Sequence, residues 1–145
     1  YQHCTEIFPG TDGAIMAAAV ADFTPDISSG QKIKRGDEDL QIKLVPTKDI
    51  AATLGKMKTD KQILVGFALE TNDEQQNAIR KLQKKNLDFI VLNSLNDPGA
   101  GFDVDTNKIT ILDKYNNKQD FQLKTKVEVA RDIVSTIVEL LEKRQ

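Results

Sequence analysis

Residues 62–93 read QILVGFALETNDEQQNAIRKLQKKNLDFIVLN, an apolar run, a polar stretch with helical spacing and a second apolar run. The runs 62–69 and 88–93 do not alternate between polar and apolar residues, which is typical of strands buried on both faces of a sheet. Between them, residues 71–74 have the Thr-x-x-Glu pattern of a capping box and predict that a helix follows. The predicted buried face of that helix consists of Ala78, Ile79 and Leu82. Two buried strands joined by a helix predict a parallel pair with a right-handed crossover.

The residues before this unit predict further strands. Residues 13–21 are apolar without alternation and predict another strand buried on both faces. Residues 24–39 have no sustained apolar period and predict a long loop. Residues 40–45 alternate between apolar and polar side chains, so they predict a half-exposed strand that ends at Pro46.

Two more helices are predicted from their capping residues. Thr47 is predicted to cap a helix over residues 48–57. Residues 125–128, Thr-Lys-Val-Glu, form a second capping box and open the last helix. The predicted apolar face of this last helix consists of Val127, Ala130, Ile133, Val134, Ile137, Leu140 and Leu141.

A β-hairpin is predicted between the last buried strand and the last helix. Residues 108–112 and 120–123 flank a polar turn, and residues 94–102 before them predict a Pro/Gly loop. The element order predicts an α/β fold: a Rossmann-like, mostly parallel sheet flanked by helices, with a C-terminal β-hairpin arm. Residues 1–145 are predicted to be a single partial domain without its N-terminal part, because the first eight residues have the spacing of a helix that lacks its start.

Composition excludes several classes of protein. The 20 basic and 22 acidic residues give a net charge of −2, which argues against a protein that coats nucleic acid. One cysteine and one histidine make a disulfide framework, a cysteine-ligated zinc site and a histidine-dependent metal centre improbable. The longest uncharged run is nine residues, half of what a membrane span needs. The sequence therefore predicts a cytoplasmic protein with no nucleic-acid or membrane partner.

Ligands of open parallel sheets bind at the carboxyl ends of the strands, here residues 19–23, residues 67–71 and Asn93. Asp22 follows a predicted strand, where it can hold a metal, a ribose hydroxyl or a base amine, or simply start a loop. The loop 24–39 carries Lys32, Lys34 and Arg35, which suit phosphate binding but are also typical of a solvated loop. Lys81 and Lys85 lie four residues apart on one helix face, where they either bind phosphate or complement the helix dipole.

Three function classes remain open from these residues: an enzyme acting on a nucleotide, a non-catalytic nucleotide-binding α/β module and a nicotinamide-dependent oxidoreductase. Neither Gly-x-Gly-x-x-Gly nor a phosphate-binding Gly-x-x-x-x-Gly-Lys-Ser/Thr motif occurs. The missing glycine fingerprint argues against the oxidoreductase.

Six motifs in order resemble those of one enzyme family over most of the chain, from about Gly13 to its end. They are Ala17–Phe23 (AAAVADF), Lys32–Arg35 (KIKR), Val65–Thr71 (VGFALET), Lys81–Asp88 (KLQKKNLD), Asn93 and Gly101–Asn107 (GFDVDTN). With these motifs the chain resembles the C-terminal portion of bacterial phosphopantothenoylcysteine synthetase, the ligase domain of the bifunctional coenzyme A biosynthesis flavoprotein.

The resemblance implies a ligase that acts in two steps. CTP activates the carboxylate of phosphopantothenate as an acyl-cytidylate, and the amine of cysteine then attacks to give the amide and CMP. The implied cofactors are CTP as substrate nucleotide and Mg²⁺, while FMN belongs only to a decarboxylase domain absent from this sequence. The resemblance also implies that the fragment alone is inactive, because the glycine-rich loop of the family is missing.

The resemblance further implies roles for individual residues. Lys32 is the expected catalytic residue, and the backbone of Ala18 and Ala19 is the expected substrate-binding region. The expected nucleotide-binding residues are Asp22, Lys32, Thr47, Lys48, Asp49, Ile50, Phe67, Lys81 and Lys85.

The sequence departs from the family at two places and predicts an oligomer at a third. The family has Lys-x-Lys-Lys at the motif 32–35, and Arg35 replaces its last lysine with the charge kept. Thr47 and Lys48 replace Asn-Pro, which weakens a side-chain role for both. The hairpin 108–123 has apolar residues on both faces, and an isolated ribbon exposes unpaired edges. A homodimer through this hairpin is therefore predicted, as the dimeric family also implies.

Overall fold

The computed structural model describes residues 1–35, 39–94 and 104–144. Its helices are α1 (Gln2–Ile7), α2 (Ile50–Met57), α3 (Glu74–Lys84) and α4 (Lys126–Glu142), with a 3₁₀ turn at Phe8–Gly10. Its strands are β1 (Gly13–Met16), β2 (Phe23–Pro25), β3 (Leu44–Pro46), β4 (Ile63–Glu70), β5 (Phe89–Ser94), β6 (Thr106–Asn107), β7 (Ile109–Asp113), β8 (Lys118–Asp120) and β9 (Lys124–Thr125). The predicted loop 94–102 and the motif residues 101–103 lie outside the described residues, apart from the backbone of Ser94.

The main sheet has five strands in the order β1-β4-β5-β7-β8. Strands β1, β4 and β5 run parallel, with Ile15 opposite Val65 and Val65 opposite Phe89. Strands β7 and β8 continue the sheet antiparallel. The predicted α/β fold is therefore confirmed, as a mixed sheet whose parallel part is the unit β1-β4-β5.

Helices cover both faces of the central strands. Leu64, Ile90 and Leu112 face one side, where Leu54 of α2 and Leu82 of α3 pack. The opposite face packs against Val129 and Ile133 of α4 through a second buried group, made of Ile63, Val65, Phe89, Val91, Ile109 and Ile111. Burial on both faces explains why the runs 62–69 and 88–93 do not alternate, so their prediction as buried strands is confirmed.

The strand predicted at residues 13–21 forms only over residues 13–16, and these are half-buried or exposed rather than buried on both faces. Strand β1 ends at Met16, and the alanine-rich segment 17–21 is exposed and leaves the sheet. Within the described part of the chain β1 pairs with β4 alone, so Ile15 keeps 47% of its surface exposed. Small apolar side chains suit the segment 17–21 because it borders a cleft rather than a core.

The predicted loop 24–39 begins as a strand. β2 pairs antiparallel with β3, with Phe23 opposite Pro46. The half-exposed strand predicted at 40–45 therefore forms only over Leu44–Pro46, and the proline is part of the strand rather than its end. Lys43 Nζ lies 2.7 Å from Asp26 Oδ2 at the open end of this ribbon. We call residues 26–43 the flap; residues 36–38 lie outside the described part.

The helix caps follow the sequence only in part. The capping box at Thr125 and Glu128 is confirmed. The box predicted at 71–74 does not form, because the N-cap residue is Asp73 with a left-handed φ of 46° and no side-chain cap bond. Thr47 is not a cap either: α2 starts at Ile50, and its N-cap is Asp49.

The predicted β-hairpin arm is part of the sheet. β7 pairs along β5, and Ile109, Ile111 and Leu112 are buried, so the hairpin is not an isolated ribbon. This removes the reason for which the sequence predicted a homodimer through residues 108–123. The predicted apolar face of α4 is also shifted, since Val129 is buried while Val127 and Val134 are 63% and 53% exposed. None of the helices in the described ranges is long and apolar enough to cross a membrane.

A buried charge cluster lies at the opposite end of the sheet from residues 17–23. The Asp88 carboxylate is fully buried and accepts hydrogen bonds from Leu64 N at 2.8 Å, Lys58 Nζ at 2.9 Å and Lys114 Nζ at 3.0 Å. Arg144, at the end of α4, also donates to Asp88 and to the carbonyl oxygens of residues 60 and 62. Burial raises the pKa of Asp88, but the hydrogen bonds from Leu64, Lys58 and Lys114 outweigh it and hold the pKa below its usual value.

Candidate functional site

A cleft of about 530 Å³ opens beyond the carboxyl end of β1, between the β2–β3 ribbon, the start of α2 and residues of β4 and α3. Nine residues predicted from the sequence line it: Ala18, Asp22, Thr47, Lys48, Asp49, Ile50, Phe67, Lys81 and Lys85. Val20, Ala21 and Phe23, which belong to the predicted ligand-binding range 19–23, line it too. The lining residues that were not predicted are Met16, Pro46, Ala51, Gly66 and Ile90. The rule that ligands bind at the carboxyl ends of parallel strands predicted residues 20–23 and Phe67 at this cleft, whereas Asn93, which the same rule selected, does not line it.

Two predicted residues do not line the cleft. Ala19 is exposed beside it. Lys32 lies in an exposed, irregular part of the flap and has no hydrogen bond or ion pair with any residue of the described ranges. The structure therefore separates Lys32 from the residues with which the sequence grouped it.

Thr47 joins two walls of the cleft. Its hydroxyl donates to Ala21 O at 2.7 Å, and its backbone N–H donates to Asp22 O at 2.9 Å. These bonds hold the start of the α2 segment against the segment that follows β1. The hydroxyl is thereby used for positioning rather than for capping, which corrects the role predicted from the sequence.

Asp49 connects α2 to α3. Its Oδ1 accepts the N–H of Ala52 at 2.9 Å, and its Oδ2 lies 3.1 Å from Lys85 Nζ. Partial burial raises the pKa of Asp49, but the Ala52 hydrogen bond and the Lys85 ammonium outweigh it, so the pKa lies below its usual value. The carboxylate stays ionised at neutral pH and holds Lys85 at the cleft wall.

Two substitutions separate these functions of Asp49. We expect Asp49→Ala to lower the free energy of unfolding by about 1 kcal/mol, because the helix loses its cap. Asp49→Asn should stay within about 0.5 kcal/mol of the wild type, because asparagine caps as well as aspartate and the lost ion pair is partly exposed to solvent. Urea denaturation measures both, and equal losses in the two variants would contradict the assignment.

Lys81 is held by a carboxylate that the sequence analysis did not single out. Glu70, the last residue of β4, lies with its Oε1 2.5 Å from Lys81 Nζ, and only 14% of its side chain is exposed. The sequence gives a weak signal for this pair, an acidic residue at the end of an apolar strand. The sequence does not show that Lys81, eleven positions later in α3, lies next to Glu70 in the folded chain.

The cleft can bind an anion with a planar or apolar part. Phe67 and Ile50 supply apolar surface, the lysines supply charge, and Asp22 has no side-chain partner within the described ranges. Those ranges hold no group of three or more His, Cys, Asp or Glu side chains that could bind a metal ion. The arrangement defines an α/β protein of the Rossmann-like class with a nucleotide-sized cleft at the end of its parallel strands.

The chain belongs to the family of the DNA/pantothenate metabolism flavoprotein C-terminal domain, whose model matches residues 1–141. A coenzyme A biosynthesis bifunctional protein CoaBC from Bacillus subtilis (strain 168) is 42% identical over 134 residues, which is 92% of this chain and 33% of the relative. A cysteine/cysteine sulfinic acid decarboxylase of an unknown prokaryotic organism is 62% identical over 136 residues, 94% of this chain and 38% of the relative.

A solved structure supports the same assignment. The crystal structure of the C-terminal domain of a coenzyme A biosynthesis bifunctional protein CoaBC superposes with a TM-score of 0.76 at 35% identity. The match covers 98% of this chain and 61% of that domain. The chain thus spans well under half the length of the two curated relatives and about three fifths of the solved domain.

Proposed function

We propose that this chain forms part of a CTP-dependent ligase that joins phosphopantothenate to cysteine in coenzyme A biosynthesis. The observation that carries the proposal is the cleft itself. It brings together, from separate segments of the chain, nine of the eleven residues that the resemblance to phosphopantothenoylcysteine synthetase assigns to nucleotide and substrate. Membership of the family and the name of the Bacillus subtilis relative agree with this assignment.

The proposed reaction has two steps. The carboxylate of phosphopantothenate attacks the α-phosphate of CTP, which forms the acyl-cytidylate and releases pyrophosphate. The amine of cysteine then attacks the acyl carbon, loses a proton and displaces CMP. An exposed activated acid would be hydrolysed, so the cleft has to exclude water around it.

Different residues of the cleft would contact different parts of the reactants. Lys81 and Lys85 would contact phosphate oxygens, and Phe67 and Ile50 would pack against the nucleoside. The backbone N–H groups of residues 18 and 19 would contact the reacting carboxyl group, where oxyanion charge develops. Asp22 would bind the nucleotide through a base amine or ribose hydroxyl.

Mg²⁺ would enter with the triphosphate. It needs few protein ligands when phosphate oxygens and water complete its shell, which agrees with the lack of a carboxylate cluster in the described ranges. Asp22 is the lining carboxylate without a described partner that could add one ligand. The metal would neutralise phosphate charge as the acyl-cytidylate forms.

We expect the chain to bind CTP more tightly than ATP. The basic flap and the segment around Asp49 resemble those of bacterial enzymes that use CTP, and weak binding overall is expected without the glycine-rich loop. Calorimetric titration of the 145-residue chain with each nucleotide and Mg²⁺ measures the preference. Equal affinities, or a preference for ATP, would contradict the proposed nucleotide.

Turnover requires a second experiment, because the chain spans only part of its relatives. Residues 1–141 can replace the matching segment of the Bacillus subtilis protein, and amide formation from phosphopantothenate, cysteine and CTP is then measured. CTP binding by a folded chimera without amide formation would favour the non-catalytic nucleotide-binding module. Release of CO₂ from cysteine sulfinic acid would favour the activity for which the 62% identical relative is named.

The proposal includes partners and location. Phosphopantothenate, cysteine and CTP are the proposed ligands, and the cytoplasm is the proposed compartment, in agreement with the single cysteine. A homodimer through residues 108–123 stays a prediction. Its remaining structural support is the outer edge of β8, which has no strand partner within the described ranges.

A further inference from the structure

The three lysines that line the cleft differ in what holds them. Lys81 lies 2.5 Å from the Glu70 carboxylate, and Lys85 lies 3.1 Å from the Asp49 carboxylate. Lys48 has no carboxylate within 4.0 Å in the described part of the chain. Its ammonium group is therefore the one lining cation whose charge is not offset by an ion pair in residues 1–35, 39–94 and 104–144.

An aromatic ring holds Lys48 instead. Its Nζ lies 4.7 Å from the centroid of the Tyr1 ring, within the range of a cation–π contact. Tyr1 is the N-cap residue of α1, and α1 packs against α2, so the ring belongs to an element in contact with the helix that follows Lys48. The ring restrains the side chain without supplying a carboxylate acceptor.

This kind of restraint leaves hydrogen-bond donors for a ligand. An ammonium group has three donors, and a carboxylate partner uses at least one of them and cancels its charge. A ring face attracts the positive charge but accepts no conventional hydrogen bond from the N–H donors of the ammonium group. Lys48 is thus restrained at the cleft while its full charge and its donors stay available to phosphate oxygens.

We propose that Lys48 is the main phosphate-binding lysine of this cleft and that Tyr1 is its positioning residue. The inference rests on the proposed function only in requiring a ligand that carries phosphate. It assigns a side-chain role at a position where the family pattern has proline, and it extends the site to α1. Lys81 and Lys85 contribute less to phosphate affinity, because each must share its ammonium group with a carboxylate.

Titration of the full chain with inorganic tripolyphosphate tests the proposal without a nucleoside. We expect Lys48→Gln to weaken binding about 10-fold, as for the loss of a charge-assisted contact. Tyr1→Leu should weaken binding about 2- to 5-fold, and Tyr1→Phe should restore it because the ring remains. Lys56→Gln is the matched control, since Lys56 lies in the last turn of α2 and does not line the cleft.

The dependence of one residue on the other distinguishes positioning from a structural effect. In the Lys48→Gln background, Tyr1→Leu should change the affinity by less than about 1.5-fold, because the ring then has no cation to hold. An additive loss in the double variant would overturn the role of Tyr1. Wild-type affinity in Lys48→Gln, or no tripolyphosphate binding by the wild type, would overturn the proposal as a whole.

The outcome separates this inference from the proposed function. If tripolyphosphate binding depends on Lys48 but CTP binds no better than ATP, the proposed CTP-dependent ligase fails and the phosphate site stands. If CTP is preferred and Lys48→Gln binds both CTP and tripolyphosphate normally, the ligase proposal stands and the phosphate site fails.

Discussion

Lys32→Gln, in a chimera that carries residues 1–141 within the Bacillus subtilis relative, should reduce amide formation by at least about a hundred- to a thousand-fold. Lys32 would place its charge where negative charge develops during acyl transfer, and removing one such contact costs this much in other enzymes. In the present structure Lys32 is exposed on the flap and outside the cleft. The expected loss therefore requires the flap to close over bound reactants.

Lys34→Gln is the matched control on the same flap. It should have a milder effect, because Arg35 keeps a positive charge next to it. Product formation under saturating substrates is the measurement, together with a thermal melt of each variant to show that folding is intact. Near-wild-type turnover of Lys32→Gln would mean that the flap is a solvated loop without a catalytic role.

Asp88→Ala should lower the free energy of unfolding by about 3–5 kcal/mol, the usual loss when one partner of a buried charge cluster is removed. The substitution would leave Lys58, whose side chain is only 8% exposed, without its carboxylate. It would also release the Leu64 N–H and the end of α4 at Arg144. Denaturant unfolding monitored by circular dichroism gives the difference.

Lys114→Ala removes a partner of the same carboxylate at the surface. Its side chain is 36% exposed, so we expect a loss of about 1 kcal/mol or less. If Asp88→Ala does not fold, Asp88→Asn keeps the shape of the side chain and allows the same comparison. A loss in Asp88→Asn no larger than in Lys114→Ala would contradict the central role of the buried charge.

The Asp88 cluster also predicts a dependence of stability on pH. The pKa of Asp88 in the folded chain is held below the usual value of 3.8, so the unfolded chain binds the proton more readily. The stabilisation by Asp88 is fully present above pH about 4 to 5 and is lost as the pH falls through the lower pKa of the folded state. Asp88→Asn cannot titrate there, so its stability deficit relative to the wild type should shrink in acid.

The sequence predicted the site better than its supporting contacts. Phe67 was placed correctly because the buried strand β4 follows from composition and order. Asp22 also lies beside the cleft, but it follows β1 by six residues rather than directly, as the sequence had predicted. Capping is a local competition, and the sequence could not show that the Thr47 hydroxyl would bond to Ala21 and leave the cap to Asp49. Both are good capping residues, and only the position of the preceding chain separates them.

Contacts between distant segments were the least predictable. Alternation in residues 108–112 indicated a strand, but not that β7 would join β5 and bury its apolar side chains. Asp88 was interpreted as the start of a strand, since its partners Lys58 and Arg144 are far away along the chain. The sequence signal for a buried charge such as Asp88 is an ionisable residue directly before an apolar run.

Helices usually fray at their last turn. The end of α4 is an exception, because Arg144 bonds to the carbonyl oxygens of Asp60 and Gln62 and to the carboxylate of Asp88. Its amide protons should exchange slowly with solvent, in step with those of β4 and β5. Replacing Arg144 would free this end of α4 from the sheet, while Val129 and Ile133 would still hold the rest of the helix against β4 and β5.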